Sequence, residues 1–308
     1  MRLLLRESSI AVPGTEGTVG IGLAALRFFA QCLENARNNP DLLAKMHRYL
    51  EPRADGLLEA VNRELLAPAV EALRKKYGRN GLVVIVDGLD RIDRRPRQDG
   101  KVPSEHLFVN QPGRLGGLNC HLVYTVPFEL VFSLNQGEIT QRYGRTNVLP
   151  MVPVQKRGGD ENTKGMALLR QMVLKRAFPD QSEDQRQERV TEIFDTPETL
   201  DRLCRVSGGH PRNLMILLRS CIAKKDDLPI SRESLEDVIR EQRNDWALPM
   251  GDNEWELLRK VGKEKDIGDH KKYHDLLRNV FVLEYRDPDG SWYDVHPILK
   301  EAKKLSGA

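Results

Sequence analysis

No stretch of this sequence stays apolar over the roughly 18 residues that a membrane-spanning helix needs. The first residues, MRLLLRESS, hold an apolar segment that is far too short for a secretory signal peptide. Charged residues make up 30% of the 308 residues and hydrophobic residues 40%, which is typical of a soluble protein, and the length suits two or three domains. We therefore expect a cytoplasmic protein that does not enter a membrane.

Cysteine is scarce, and its spacing argues against two kinds of site. The four cysteines lie far apart and none belongs to a C-x-x-C pair; they are Cys32, Cys120, Cys204 and Cys221. Structural zinc clusters and disulfide frameworks both depend on closely spaced cysteines, so we expect free, buried thiols. The net charge of +3 is too small to indicate nucleic-acid binding by itself.

One apolar segment is followed directly by a carboxylate. In the stretch GLVVIVDGLDRIDR, residues 82–86 are uninterrupted aliphatic residues, which predicts a strand buried on both faces of a parallel α/β sheet. Asp87 follows this strand at the edge where open α/β sheets bind their ligands, and a phosphate-bound Mg²⁺ takes oxygen ligands at such a place. Any buried strand that ends in Asp has the same pattern, so the pattern alone does not decide the function.

A second apolar segment, CHLVYTVP at residues 120–127, predicts a neighbouring strand that ends in the hydroxyl of Thr125. Threonine is also simply a good strand residue. The next loop carries Arg142 and Arg145, and a further strand is predicted over residues 148–154. A loop arginine is ordinarily exposed to solvent, so the residue type by itself assigns no role.

The second half of the chain predicts helices and then a hairpin. In GGHPRNLMILL, residues 208–218, Pro211 begins a helix with a leucine-rich face, and LPMG at residues 248–251 marks a boundary. Two further helices precede two short strands that flank the turn sequence DPDG, residues 287–290. Helices followed by a hairpin describe a winged helix-turn-helix.

The segment VVIVDGLDR resembles the Walker B segment of P-loop ATPases of the AAA+ and STAND type, closest to the D-x-L-D-R form of KAP-like members. The resemblance implies ATP and Mg²⁺ as cofactors, with Asp87 as the Mg²⁺-side carboxylate. Gly88 occupies the position that often carries the acid that polarises the attacking water, and Asp90 is the nearest remaining acid. Thr125 would be the sensor 1 residue near the γ-phosphate, and Arg145 an arginine finger that reaches a neighbouring subunit.

The segment GGHPRNLMILL resembles the GxP or sensor 2 element in the helical lid of STAND and archaeal-type ATPases. By this resemblance Gly209 and Pro211 would shape the turn towards the base, and Arg212 would reach the nucleotide phosphates. The ending WYDVHPIL is similar to winged-helix modules appended to STAND ATPases. The implied α/β architecture is a P-loop NTPase-like core over residues 1–178, a helical lid over residues 179–250 and a winged helix over residues 251–308.

The sequence departs from this family in one respect. The phosphate-cradling motif G-x-x-x-x-G-K-[ST] does not occur, and the glycine-rich loop PGTEGTVGIG, residues 13–22, lacks its Lys and Ser/Thr. Two explanations compete: the chain begins after the P-loop, which leaves the core incomplete at its N-terminus, or the ATPase is degenerate and keeps the fold without turnover. In either case we expect impaired nucleotide binding and no ATPase activity from this chain alone.

The resulting hypothesis is an ATP-dependent signal-transduction switch of prokaryotic STAND type that associates with a protein partner or with itself. One alternative is a winged-helix transcription regulator that binds DNA through Lys271, Lys272 and Arg278. Asp287 and Asp289 at the tip of the wing would oppose phosphate binding, so we favour a winged helix that packs on the rest of the protein. Another alternative is a non-catalytic oligomeric scaffold.

Overall fold

The computed structural model describes residues 39, 45, 48–79, 81–92, 102–131, 136–225 and 228–306. The chain divides into two compact units, Met1–Thr146 and Asn147–Ala308. The glycine-rich loop at residues 13–22 lies outside the described residues. Within the described ranges, no helix combines the length and the apolar character needed to cross a membrane.

Within the described residues of the first unit, a long helical stretch is interrupted just before a proline. Helix α1 spans Ala54–Val61, a π-helical turn spans Asn62–Leu66, and α2 spans Ala67–Tyr77. Pro68 has no N–H for the carbonyl four residues earlier, so the wider π-helical turn lies immediately before it. Gly78 ends α2 with φ of 62°, a conformation that favours glycine.

A parallel pair of strands forms the sheet in the described part of this unit. Strand β1 (Val83–Val86) pairs with strand β2 (His121–Tyr124). Val83 lies opposite His121, and Val86 lies opposite Tyr124. Between them lie a 3₁₀ turn (Leu89–Arg91), α3 (Pro103–Glu105), a π-helical turn (His106–Asn110) and α4 (Pro112–Gly116). After β2 come α5 (Phe128–Val131) and α6 (Gln136–Tyr143). The core of the unit is formed by Phe108, Leu130 and Ile139, and Tyr124 of β2 packs against it.

The prediction that the first strand is buried on both faces is wrong. Every second residue of the pair faces solvent: the exposed fractions of Val83, Ile85 and Val123 are 58%, 68% and 49%. Side chains alternate between the two faces of a strand, and the cluster around Phe108 packs on one face only. An uninterrupted apolar run ordinarily indicates burial on both faces, which explains why the sequence was misleading here.

Five helices of the second unit form what we call the bundle: α7 (Thr163–Ala177), α8 (Glu183–Glu188), α9 (Pro197–Val206), α10 (Pro211–Lys225) and α11 (Arg232–Ala247). Its core includes Leu203, Leu214 and Leu235, each 0% exposed. The expected free, buried thiols are confirmed for Cys204 and Cys221, which belong to this core.

The remainder of this unit, which we call the hairpin region, has its own core around Trp255 and Leu258. It contains α12 (Asp252–Glu264), α13 (His270–Arg278), β3 (Val282–Asp287), β4 (Gly290–Val295), α14 (Pro297–Lys300) and α15 (Lys303–Ser306). Strands β3 and β4 pair antiparallel across the predicted turn, since Asp287 lies opposite Gly290. Two helices followed by a hairpin is the order read from the sequence.

The strand predicted over residues 148–154 is not a strand of either sheet. Pro150 and Pro153 have no N–H and therefore cannot contribute to a continuous ladder. Three backbone hydrogen bonds outside the two sheets hold the segment instead. Met151 N–H donates to the Glu284 carbonyl (2.9 Å), Val152 N–H donates to the Gly209 carbonyl (3.1 Å), and the Val154 carbonyl accepts the Asn162 N–H (3.0 Å).

Candidate functional site

The carboxyl ends of β1 and β2 bring Asp87 and Thr125 to the same edge of the sheet. Val86 lies opposite Tyr124 in the parallel register, so the residues that follow them leave the sheet side by side. The Thr125 N–H continues the ladder to the Val86 carbonyl at 3.2 Å. The arrangement follows from two apolar strands of equal length that run in the same direction.

Thr125 organises the turn after β1. Its Oγ1 accepts the backbone N–H of Gly88 at 2.9 Å and that of Leu89 at 3.1 Å. Because both bonds are accepted, the hydroxyl proton remains available for donation. The side chain therefore links β2 to the 3₁₀ turn Leu89–Arg91, which carries Asp90.

The Asp87 carboxylate is exposed at this edge. Its Oδ1 accepts the Gly88 N–H at 2.8 Å, so one N–H is shared between Asp87 and Thr125. From the part of the chain that the structure describes, Oδ2 of Asp87 accepts no hydrogen bond. The carboxylate is thus oriented by one oxygen and open at the other.

Gly88 has φ of 89°, which an L side chain rarely adopts. A Cβ added here would meet no atom within 4 Å, so the backbone conformation alone favours glycine. Any other residue at this position would therefore strain the turn after β1. Asp90 is exposed two residues further along, on the same turn.

The oxygen atoms at this edge of the sheet could contribute to binding of a metal ion that a nucleotide also binds. Among the described residues, no group of three or more His, Cys, Asp or Glu side chains could hold a metal ion. Mg²⁺ associated with a nucleotide is bound through one or two carboxylates together with phosphate oxygens and water. The open oxygen of Asp87 fits that mode and does not fit an all-protein metal cage.

The two loop arginines have different environments. Arg142 donates a hydrogen bond to the Val109 carbonyl and pairs with Glu138 at 3.3 Å, so it anchors α6 to the π-helical turn at His106–Asn110. Arg145 is exposed and follows Gly144, whose φ is 82°. Arg145 lies in the same unit as Asp87.

The predicted nucleotide-lid residues lie in the other unit, Asn147–Ala308. Gly209 has φ of 77°, and an added Cβ would lie 1.7 Å from the Val152 carbonyl oxygen. Gly208 has φ of 64°, and its Cβ would lie 2.3 Å from Leu283 Cδ1. Close packing inside this unit therefore requires both glycines. That requirement is independent of any nucleotide.

Pro211 and Arg212 are exposed in the first turn of α10. Among the described residues, Arg212 forms no ion pair. His210 precedes them, and its Nδ1 accepts the Asn213 N–H at 3.2 Å, which caps the helix. Burial and, secondarily, the positive charge of Arg212 lower the pKa of His210.

The sequence reasoning missed a buried polar network between the bundle and the hairpin region. His296 is 0% exposed, its Nδ1 accepts the Ile298 N–H at 3.2 Å, and its Nε2 lies 3.1 Å from Asn213 Nδ2. Gln242 Nε2 lies 3.0 Å from Asn213 Oδ1. The dipeptide His-Pro could have indicated this network from the sequence. It occurs at the start of both α10 and α14, where the proline is the first helical residue and the imidazole before it caps the helix.

Comparisons with other proteins do not supply a function for this edge. No protein-family model and no curated protein sequence matches this chain. The case for a site therefore rests on the geometry of Asp87 and Thr125 at the ends of two parallel strands.

Proposed function

We propose that this chain is an ATP-responsive molecular switch of the AAA+/STAND type, similar to KAP-like members. In this proposal a Mg²⁺-bound nucleoside triphosphate binds at the carboxyl ends of β1 and β2. The observation that carries the proposal is the parallel register of these strands, which brings Asp87, with one open carboxylate oxygen, beside the Thr125 hydroxyl. Ligands of open α/β sheets bind at this edge.

Each residue at the edge has a distinct task in the proposed site. Asp87 Oδ2 would hold the Mg²⁺ directly or through water, while Oδ1 stays on the Gly88 N–H and orients the carboxylate. Thr125 would hold the turn through its oxygen and donate its proton towards phosphate. The bound Mg²⁺ would supply neutralisation of phosphate charge.

The regulatory side of the proposal involves Arg145, which would act on a neighbouring subunit, so self-association belongs to the same proposal. A nucleotide can bias such a switch only through its different affinities for two states. Since the sequence contains no G-x-x-x-x-G-K-[ST] motif, we expect weak binding and no turnover from this chain alone.

The test is a titration of the wild-type chain with Mg²⁺-ATP at millimolar concentration, with the shift in unfolding temperature as the readout. Asp87→Asn keeps an oxygen for the Gly88 N–H but removes the charge, and it should weaken binding by about tenfold or more. Asp289→Asn, at an exposed position in the other unit, is the matched control and should bind like the wild type. Equal affinities of wild type and Asp87→Asn would refute the assignment.

DNA binding through the hairpin region is a second candidate. Arg157 pairs with Asp287 through two hydrogen bonds of 3.0 Å, which offsets one of the acids that would oppose phosphate. Lys271, Lys272 and Arg278 are exposed on α13 and form no ion pair within the described residues. This candidate predicts salt-dependent duplex binding that Lys271→Ala with Lys272→Ala abolishes.

A further inference from the structure

A short segment, residues 151–157, ties the two halves of the second unit together. Beyond the bonds of Met151 to Glu284 and of Val152 to Gly209, the Gln155 side chain donates to Asp294 on β4. The segment therefore contacts a bundle turn on one side and both strands of the hairpin on the other.

Asp294 is a central point of this attachment. It is 0% exposed, and Lys265 and Lys300 pair with its two carboxylate oxygens at 2.8 and 2.6 Å. Its Oδ1 also accepts the Val295 N–H. Because the carboxylate is fully used and buried, separating the partners would leave charge without compensation.

The bundle and the hairpin region also share apolar and ionic contacts. Ile298 of α14 is 0% exposed and belongs to the core of the bundle, not to that of the hairpin region. Glu301 is held by Arg202 of α9 at 2.6 Å and by Arg243 of α11 at 3.0 Å. Trp246 packs against both cores.

The turn that carries the predicted lid residues is part of this junction. Tyr285 on β3 donates its hydroxyl proton to the Gly208 carbonyl at 2.8 Å, and both glycines of the turn are in close contact with neighbouring chain. A displacement of this turn would therefore break contacts with β3.

We propose that the bundle and the hairpin region form one cooperative body, so that whatever displaces the turn at Gly208–Pro211 carries the hairpin with it. Cooperative behaviour of this body does not depend on nucleotide binding. Its use to transmit a nucleotide signal rests on the proposed function. The hairpin region is then an integral part of the responding element and not a separately folding module.

Native residues provide one set of probes for each half. Cys204 and Cys221 lie in the bundle core, and burial raises their pKa values to about 12 and about 11, so a thiol reagent reaches them only when the bundle opens. Trp255 and Trp292, each 2% exposed, report on the hairpin region once Trp246, which packs against both cores, is replaced by Phe. A background with Cys32→Ser and Cys120→Ser removes the other thiols.

The experiment compares urea transitions in the full chain, by thiol labelling and by tryptophan fluorescence. One cooperative body gives a single midpoint for both probes. Leu258→Ala in the core of the hairpin region should raise the labelling rate of the bundle thiols at least about tenfold. Leu248→Ala, at a residue that is 87% exposed, should leave that rate unchanged.

Loss of the tryptophan signal at lower urea, with the thiols still protected, would overturn the proposal. So would a Leu258→Ala variant that loosens the hairpin region and leaves thiol labelling at the wild-type rate. The wild-type comparison alone decides the matter if Leu258→Ala does not fold. If the chain does not bind Mg²⁺-ATP, the comparison of thiol labelling with tryptophan fluorescence is unaffected. The two proposals can therefore be refuted independently of each other.

Discussion

The second unit should lose stability in mild acid, mainly because of one buried imidazole, that of His296. Burial above all, together with the proximity of His210 and of Lys300, lowers the pKa of His296 to about 3, against an opposing hydrogen bond with the Ser207 backbone. The ordinary value is 6.5. Protonation would also remove the Nδ1 lone pair that accepts the Ile298 N–H.

The size and sign of the effect follow from proton linkage. Below pH 6.5 the unfolded chain takes up a proton on His296, whereas the folded chain stays neutral until the pH approaches 3. The unfolded state is therefore favoured progressively as the pH falls from 6.5 towards 3. The contribution of neutral His296 to the unfolding free energy is fully present above pH 6.5. At pH 5 the loss is about 2 kcal/mol, which is a large part of a typical unfolding free energy.

The assay is urea unfolding between pH 8 and pH 5, followed by tryptophan fluorescence. His296→Asn keeps a good helix cap and removes the titrating group, so it should be less stable at pH 8 but should lose about 2 kcal/mol less on acidification. Leu248→Ala, at an exposed side chain that does not titrate, should keep the wild-type slope. Identical slopes for wild type and His296→Asn would refute the reasoning.

Three further substitutions test individual contacts. Gly209→Ala places a methyl group against the Val152 carbonyl at a residue with positive φ, so it should lower the unfolding free energy by roughly 2–4 kcal/mol. The control is Gly158→Ala, where an added Cβ meets nothing within 4 Å; it should change the unfolding free energy by less than about 1 kcal/mol. Thr125→Val removes the acceptor of two backbone N–H groups and should speed amide exchange at Gly88 and Leu89, whereas Thr125→Ser should preserve their protection. Asp294→Asn leaves Lys265 and Lys300 without a carboxylate and should cost about 2–4 kcal/mol in urea unfolding, while Asp289→Asn should have no measurable effect.

Local sequence signals predicted most of the elements that position the site. The apolar runs before Asp87 and Thr125 became a parallel pair, and the turn sequence at residues 287–290 joins an antiparallel hairpin. Pro211 likewise begins α10 as predicted. The spacing of apolar residues and the residue types that form turns are local properties of the chain, so a single sequence is enough to recognise them.

Features that depend on tertiary packing were not predictable in the same way. Exposure of Ile85 depends on which face of the sheet receives helices, and the run of aliphatic residues carries no information about that. The need for glycine at Gly209 comes from Val152, which is far away in sequence. The buried network of His296 and Asn213 likewise joins distant segments. The roles assigned to Asp87, Thr125 and Arg212 stay predictions.

The proposed switch depends on binding of a Mg²⁺-triphosphate at the carboxyl ends of β1 and β2. Mn²⁺-ATP, used as a paramagnetic probe of the amide resonances of the isotope-labelled chain, tests this step. Selective broadening is expected at Gly88, Leu89 and Thr125, and it should disappear in Asp87→Asn. Broadening confined to other parts of the chain, or broadening at these amides that persists in Asp87→Asn, would contradict it.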